Sequence, residues 1–243
     1  MNLNQISTIF FDFGGTLFDY VPSSAEIWIK IVKKIAGESI TPDDSRILKG
    51  LKHENEAYVR LMKATQYDNY NNLTPTYWEY LNNIVLREMN LNTKDAIHIA
   101  FEEFKTTERS YRIFPDCKET LQKLKESGFR IGIISNTIPK HAQNRRPLLA
   151  SQSVLDFFEV ILFSSEIGVR KPQKKIFEIA LQEMGISDPE TALHVGDCPY
   201  SDVKGAHDAG LVPVLFDPLK IKKADCITIE TLSELPELLI RVM

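Results

Sequence analysis

The sequence has no long hydrophobic run. Nothing in its 243 residues approaches the ~20 consecutive apolar positions needed to cross a bilayer. It has no basic segment either: 29 Lys and Arg stand against 33 Asp and Glu, a formal charge of -4, and the adjacent Arg145 and Arg146 are too short a run to alter that balance. A nucleic-acid partner is therefore not expected, because binding a phosphate backbone needs clustered positive charge. The N-terminal MNLNQISTIFFDF lacks the basic start of a secretory signal and enters a strand at once. Cysteine is scarce. Cys117, Cys198 and Cys226 are odd in number, far apart and outside metal-ligand spacing, which excludes a disulfide scaffold and fits a reducing cytoplasm. Each is expected to be a small core or loop side chain, with Cys198 alone near a candidate site.

What is present is the composition of a soluble globular chain: 43% hydrophobic and 26% charged residues argue against disorder. Five β-rich runs stand out, Thr8 to Asp12, Arg130 to Ser135, Val160 to Ser164, Ala192 to Asp197 and Val212 to Phe216, with a weaker one from Cys226 to Ile229. Such short, almost unbroken apolar runs suit strands covered on both faces. Helical spacing lies between them, at Asp116 to Ser127 and Gln173 to Met184, each stopped by a glycine, and a last helix is expected over Thr231 to Val242 near Pro236. The alternation predicts a doubly wound α/β parallel sheet. Residues 21–112 break this rhythm with apolar clusters at helical spacing, divided by TPDD and by the loop DNYNNLTPT, and predict an insertion of four or five helices.

In open α/β sheets ligands gather beyond the carboxyl ends of the strands. Those ends carry Asp12, Ser135 with Asn136, Lys171 after the third strand, and Asp197 with Asp202 five residues on. A cluster of acids repels itself unless a cation joins it. Hard oxygen donors suit Mg²⁺, and a lysine beside it would draw in a phosphoryl group.

In these residues the chain resembles the haloacid dehalogenase-like (HAD) hydrolase superfamily, mostly phosphatases. The first family motif matches DFGGTLFD from Asp12, the second IISNT at Ser135, the third GVRKPQKKIF at Lys171, and the fourth VGDCPYSDVKGAHDAG at Asp197 and Asp202. The resemblance implies a Rossmann-like core of residues 1–20 and 113–243 and a helical cap of 21–112. It implies that Asp12 is the nucleophile and forms an aspartyl phosphate. Mg²⁺ would be held by Asp12, the Gly14 carbonyl, Asp197 and Asp202. Ser135, Asn136 and the backbone of Phe13, Gly14 and Gly15 would hold phosphoryl oxygens, and Lys171 would neutralise charge. Thr16 is expected to fix the turn. The implied substrate is a small phosphorylated metabolite, with no nucleic-acid or membrane partner.

One position departs from the pattern. The family usually carries a second Asp two residues after the nucleophile, to protonate the leaving group and activate water, and this chain has Gly14. A positioned acid or base contributes about 10²- to 10⁴-fold, or about 3 to 5 kcal/mol. Two alternatives therefore accompany the phosphatase expectation: a phosphate- or nucleotide-binding protein with little turnover, and a phosphonate-cleaving enzyme. The latter needs a cap lysine, for which Lys30, Lys33, Lys34 and Lys63 are available but have no motif behind them. Dehalogenation is disfavoured by the implied metal, and phosphomutase chemistry by the missing acid. Asp19 is a weak substitute for that acid. His194 and His207 are expected to be structural, and Tyr20, Trp28, Arg60 and Tyr67 are candidates to face substrate.

Overall fold

A computed structural model of the chain describes residues 3–37, 39–41, 44–65 and 75–240. The first apolar run forms β1, Thr8–Phe11, with all four side chains buried, and after a tight turn β2 spans Phe18–Val21. Four helices follow among the described residues: α1 (Ser24–Ala36), α2 (Ser45–Thr65), α3 (Pro75–Glu88) and α4 (Lys94–Thr106). Ser23 and Glu26 close a capping box at the start of α1, which satisfies amides the helix itself leaves open. Strand β3 (Ser110–Ile113) pairs with β2 in a two-stranded ribbon. Strands and helices then alternate: α5 (Cys117–Glu126), β4 (Arg130–Ser135), α6 (Pro139–Ser151), β5 (Val160–Phe163), α7 (Ser164–Ile167), α8 (Lys174–Glu183) and β6 (Ala192–Gly196). A π-helical segment, Pro199–Lys204, runs into α9 (Gly205–Asp208), before β7 (Val212–Phe216), β8 (Ile227–Ile229) and α10 (Glu234–Ile240).

The main sheet has six strands in the order β5-β4-β1-β6-β7-β8, and every pair is parallel. The doubly wound α/β fold expected from the sequence is thus the fold observed. From β1 the chain builds outward through β4 to β5, then returns to the other side of β1 with β6. The order reverses at β1, so the crevice beyond its carboxyl end is the topological switch point.

The chain divides into two compact units: Met1–Asp19 with Ile113–Pro218 and Ala224–Met243, and Tyr20–Arg112 with Leu219–Lys223. In the first, Phe10, Ile134, Phe177, Leu181 and Ala206 share one core cluster. In the second, Trp28, Ile31, Ile47, Leu51, Val85 and Leu86 do the same, with Ile221 added from the short late segment. Each fully buried side chain of this size is worth about 1.5 to 3 kcal/mol relative to exposure. Leu219–Lys223, which the sequence pattern left with the sheet, belongs to the helical unit because Ile221 is buried in that core.

Sequence patterning missed the β2-β3 ribbon and helix α6, along with the four-residue α7 and the π-helical segment. The β2-β3 ribbon is built from FDYV and SYRI, four-residue stretches too short and too exposed to show a period. Helix α6 was missed because its buried stripe, Ala142, Arg145 and Leu149, contains an arginine where an apolar residue is expected. Helix α10 starts at Glu234, so Pro236 falls in its first turn, where an amide is not needed. Residues 66–74, which hold Tyr67 and most of DNYNNLTPT, Pro42 and Asp43 of TPDD, and Val242 lie outside the described residues.

A cavity of about 510 Å³ in the helical unit is bordered by Glu54, Trp28, Trp78, Asn82, Phe101 and Phe104. Burial there pushes the Glu54 carboxyl up to about 7 from 4.5, against an opposing pull from Lys222. A raised carboxyl pKa means that the native state holds the extra proton between those two values. Stability contributed by the protonated form is therefore lost as pH rises through that window. We expect Glu54→Gln to raise stability at pH 8 by about 1 to 3 kcal/mol and to flatten the decline in Tm that the wild type shows from pH 5 to 8. Thermal denaturation across this range checks it, and parallel profiles for the two proteins would refute it.

Candidate active site

Strand β1 delivers Asp12 to the switch point. The Asp12 amide donates to the Val195 carbonyl at 2.9 Å, so pairing with β6 runs one residue past the strand and sets the direction of the carboxylate. The chain then folds back: the Phe13 carbonyl accepts from the Leu17 and Phe18 amides at 3.0 and 2.9 Å, and the Gly15 amide donates to the Phe18 carbonyl at 2.7 Å. Gly15 has φ +81°, and a Cβ there would lie 2.8 Å from Cγ of Asp197. Both the turn and the neighbouring carboxylate thus require glycine at this position. Gly196 does the same for the other acid, since a Cβ there would sit 2.2 Å from Cγ of Asp202. Two absent methyl groups make room for two carboxylates.

One carboxylate oxygen from each of Asp12, Asp197 and Asp202 lies within 4.8 Å of the other two. Lys171, 2% exposed, places its Nζ 2.8 Å from Asp12 Oδ1 and 2.5 Å from Asp202 Oδ1. Burial alone would lower the pKa of this ammonium, but the Asp12 and Asp202 charges outweigh it and hold the group above its ordinary value. Asp202 is likewise fully buried, which disfavours its charge, yet Lys171 and a hydrogen bond from His194 hold it well below the usual carboxylate range. His194 Nε2 lies 2.9 Å from Asp202 Oδ1. Burial lowers the His194 pKa, so the ring is neutral, and because a carboxylate only accepts, its proton sits on Nε2. The second Asp202 oxygen accepts from the Cys198 amide at 2.9 Å and from Ser201 Oγ at 3.4 Å.

Asn136 holds the lysine from behind. Its Nδ2 donates to the Lys171 carbonyl at 2.9 Å, and its Oδ1 accepts from the Lys171 amide at 2.9 Å. Ser135 closes β4 beside β1, with its side chain buried, and its Oγ accepts from Nη1 of Arg145 at 2.7 Å. The Thr16 hydroxyl, expected to fix the turn, is buried without a hydrogen-bond partner among the described residues. The Cys198 thiol caps the π-helical segment by accepting from the Ser201 amide at 3.5 Å, and burial raises its pKa.

Two residues of this network were given no part in the site from the sequence. His194 looked like a strand residue, which it is, but its ring reaches Asp202. Arg145 entered the sequence reading only as half of a basic pair too short to alter the charge balance. The only sequence signal for either is a polar residue at a buried position of its element, visible once the element is known. Among the other candidates, Trp28 is a core residue with its ring 5.4 Å from that of Phe104. Tyr20 packs on Tyr111 with ring centroids 5.3 Å apart. Arg60, Lys30, Lys33, Lys34, Lys63 and His207 are exposed, and Asp19 is half-buried.

A parallel sheet with acids from two strand ends clustered around a buried lysine at its switch point is an α/β fold with a charged candidate active site where such folds bind ligands. Residues 6–210 match the family model described as "Hydrolase: haloacid dehalogenase-like hydrolase". The chain belongs to this family. It is 31% identical over 242 residues to the glyceraldehyde 3-phosphate phosphatase of Pyrococcus furiosus, a match covering 98% of this chain and 93% of that one. It is 27% identical to the glyceraldehyde 3-phosphate phosphatase of Methanothermobacter thermautotrophicus, across 97% of this chain and 100% of the other. Among solved structures, the HAD-hydrolase YfnB of Bacillus subtilis, described as bound to magnesium, shares the fold with a TM-score of 0.59 at 18% identity, over 96% of this chain and 98% of that one. No helix among the described residues is long and apolar enough to cross a membrane.

Replacing Lys171 by Met keeps the volume and removes the shared cation. We expect Lys171→Met to cost about 3 to 5 kcal/mol in metal-free buffer at pH 7, because the carboxylates it pairs with are left buried and uncompensated. Urea unfolding in EDTA measures this, and a loss below about 1 kcal/mol would mean that the bridge does not hold the site together.

Proposed function

We propose that the chain is a Mg²⁺-dependent phosphatase of a small phosphorylated metabolite, acting through an aspartyl phosphate on Asp12. The observation that carries this reading is the Lys171 ammonium bridging Asp12 and Asp202 inside the three-carboxylate cluster. The donor set is all oxygen, which suits a hard divalent cation. Asp12, the Gly14 carbonyl and Asp197 would hold the ion directly. Asp202, whose oxygens already accept from Lys171, His194 and the Cys198 amide, would reach it through water. When bound, the ion supplies positive charge that offsets repulsion between the attacking carboxylate and the phosphoryl group.

The chain's own groups account for the remaining steps. Lys171 fixes Asp12 by holding one of its oxygens. A carboxylate oxygen of Asp12 attacks phosphorus while the bond from phosphorus to the leaving oxygen breaks. Ser135 and the amides of Phe13 and Gly14 receive the phosphoryl oxygens, the expected third donor, the Gly15 amide, being taken by the Phe18 carbonyl, and Asn136 serves by keeping Lys171 in place. Water then attacks the aspartyl phosphate and frees Asp12. With Gly14 in place of an acid, the leaving oxygen takes its proton from solvent, so leaving groups that need little protonation, such as acyl and aryl phosphates, should react fastest. On this reading residues 21–112 act as the cap that selects the leaving group, and residues 1–20 and 113–243 carry the chemistry, in a reducing cytoplasm. The relatives' substrate, glyceraldehyde 3-phosphate, belongs first in any substrate panel.

Gly14 supports one competing reading, a phosphate- or nucleotide-binding protein with little turnover. Phosphate release from acetyl phosphate and p-nitrophenyl phosphate with Mg²⁺ separates the two. We expect wild type to turn over, Asp12→Asn to lose essentially all activity, and Gly14→Asp to gain about 10²-fold or more on alkyl phosphates. Activity in Gly14→Asp alone would make binding the function. Saturating Mg²⁺ should also raise the Tm of the wild type, by about 2.7 kcal/mol of stability at a hundred times Kd, and this gain should vanish in Asp197→Ala. No Mg²⁺ effect on the wild type would remove the metal from the proposal.

A further inference from the structure

We propose that Arg145 is a positioning residue of the phosphoryl site: its guanidinium holds the Ser135 hydroxyl as a donor aimed at the phosphoryl oxygens and lends that donor its charge. The inference rests on the phosphatase reading above. Arg145 lies ten residues after Ser135 on α6, on the buried stripe with Ala142 and Leu149, and is 4% exposed. Burying a charged side chain is costly unless it is paired, and a leucine would pack that stripe without that cost. Its neighbour Arg146 shows the ordinary alternative. That side chain is half-buried, lies 4.9 Å from the Phe163 ring centroid and forks outward onto Glu166 at 2.5 and 2.9 Å, without reaching a residue of the candidate site.

The Arg145 guanidinium is fixed from two sides. Nη1 donates to Ser135 Oγ at 2.7 Å, while Cζ sits 4.5 Å from the centroid of the Phe13 ring and 5.7 Å from that of Phe163. Phe13 belongs to the turn that carries Asp12 and stacks on Phe18 with centroids 4.5 Å apart. Phe163 stands opposite Ser135 in the β4-β5 register. The planar cation is thereby locked to both the nucleophile turn and the end of β4, which the round, strongly hydrated ammonium of a lysine could not match. A hydroxyl has one proton to give. Because the guanidinium only donates, Ser135 Oγ must accept from it, and the Ser135 proton is left for another acceptor. A charge-assisted bond into Oγ also polarises that proton and strengthens its donation. Lys171 is already shared by two carboxylates. Arg145 is thus a second positive group, acting on the phosphoryl oxygens through Ser135 rather than by touching them.

The test is the affinity for inorganic phosphate, titrated calorimetrically with Mg²⁺, alongside kcat and KM on acetyl phosphate. The proteins compared are wild type, Arg145→Met, Arg145→Lys, Ser135→Ala and the Arg145→Met/Ser135→Ala double variant. We expect Arg145→Met to weaken phosphate binding about tenfold and to raise KM more than it lowers kcat. The double variant should bind within about twofold of Ser135→Ala alone, because both changes remove one donor. Arg145→Lys should recover less than half of the loss. Wild-type affinity in Arg145→Met, or losses that add in the double variant, would overturn the inference, as would a wild type that binds no phosphate. If Arg145→Met does not fold, Arg145→Lys alone decides: unchanged phosphate affinity and KM in it would count against the role. Turnover that survives Asp12→Asn would sink the phosphatase reading, while coupling between Arg145 and Ser135 would still be read from the phosphate titration.

Discussion

Everything at the switch point depends on one buried ammonium. Asp12 follows β1 and Asp202 follows β6, and placing two carboxylates within reach of one nitrogen, with Asp197 beside them, is stable only because Lys171 stands between them. The fold devotes several elements to that contact. Asn136, just past β4, grips the Lys171 backbone through both its amide and its carbonyl. The loop after β4 is tied in turn to the start of α7, where the Thr137 amide donates to Ser164 Oγ at 2.9 Å and the Thr137 and Ser165 hydroxyls meet at 2.7 Å. Neutral His194 completes the arrangement by giving its one proton to Asp202, so that this acid stays charged at the heart of the sheet.

Space matters as much as charge. The carboxylates of Asp197 and Asp202 occupy the volumes that side chains at Gly15 and Gly196 would fill. In DFGGT the two glycines therefore do different work: Gly15 is demanded by a left-handed turn and a close carboxylate, whereas Gly14 stands where the family resemblance leads one to expect an acid. A residue with no side chain there leaves the contacts of Asp12, Lys171 and Ser135 intact, because each is made with other residues.

The six main strands, α5, α8 and the helical character of residues 21–112 were legible because their apolar residues recur with a clear period or run unbroken. Asp12, Lys171, Asp197 and Asp202 were legible because they lie at strand ends in the order of a known set of motifs. The β2-β3 ribbon was not, since four half-exposed residues carry too little pattern. Nor was α6, whose buried stripe includes a guanidinium. The place of Leu219–Lys223 in the helical unit depends on a single side chain, Ile221, finding a core far away in sequence.

The sequence by itself determined the doubly wound sheet, the family and the identity of the charged groups, because burial on two faces and motif order are local properties of the chain. Tertiary structure alone decided what those groups do to one another. Which carboxylates share Lys171, which proton His194 gives, and that Arg145 turns inward to Ser135 while Arg146 turns outward to Glu166 are facts about residues brought together from separate elements. Charge and hydrogen-bond energies fall off within a few ångströms, so partners are set by folding and leave no period in the sequence.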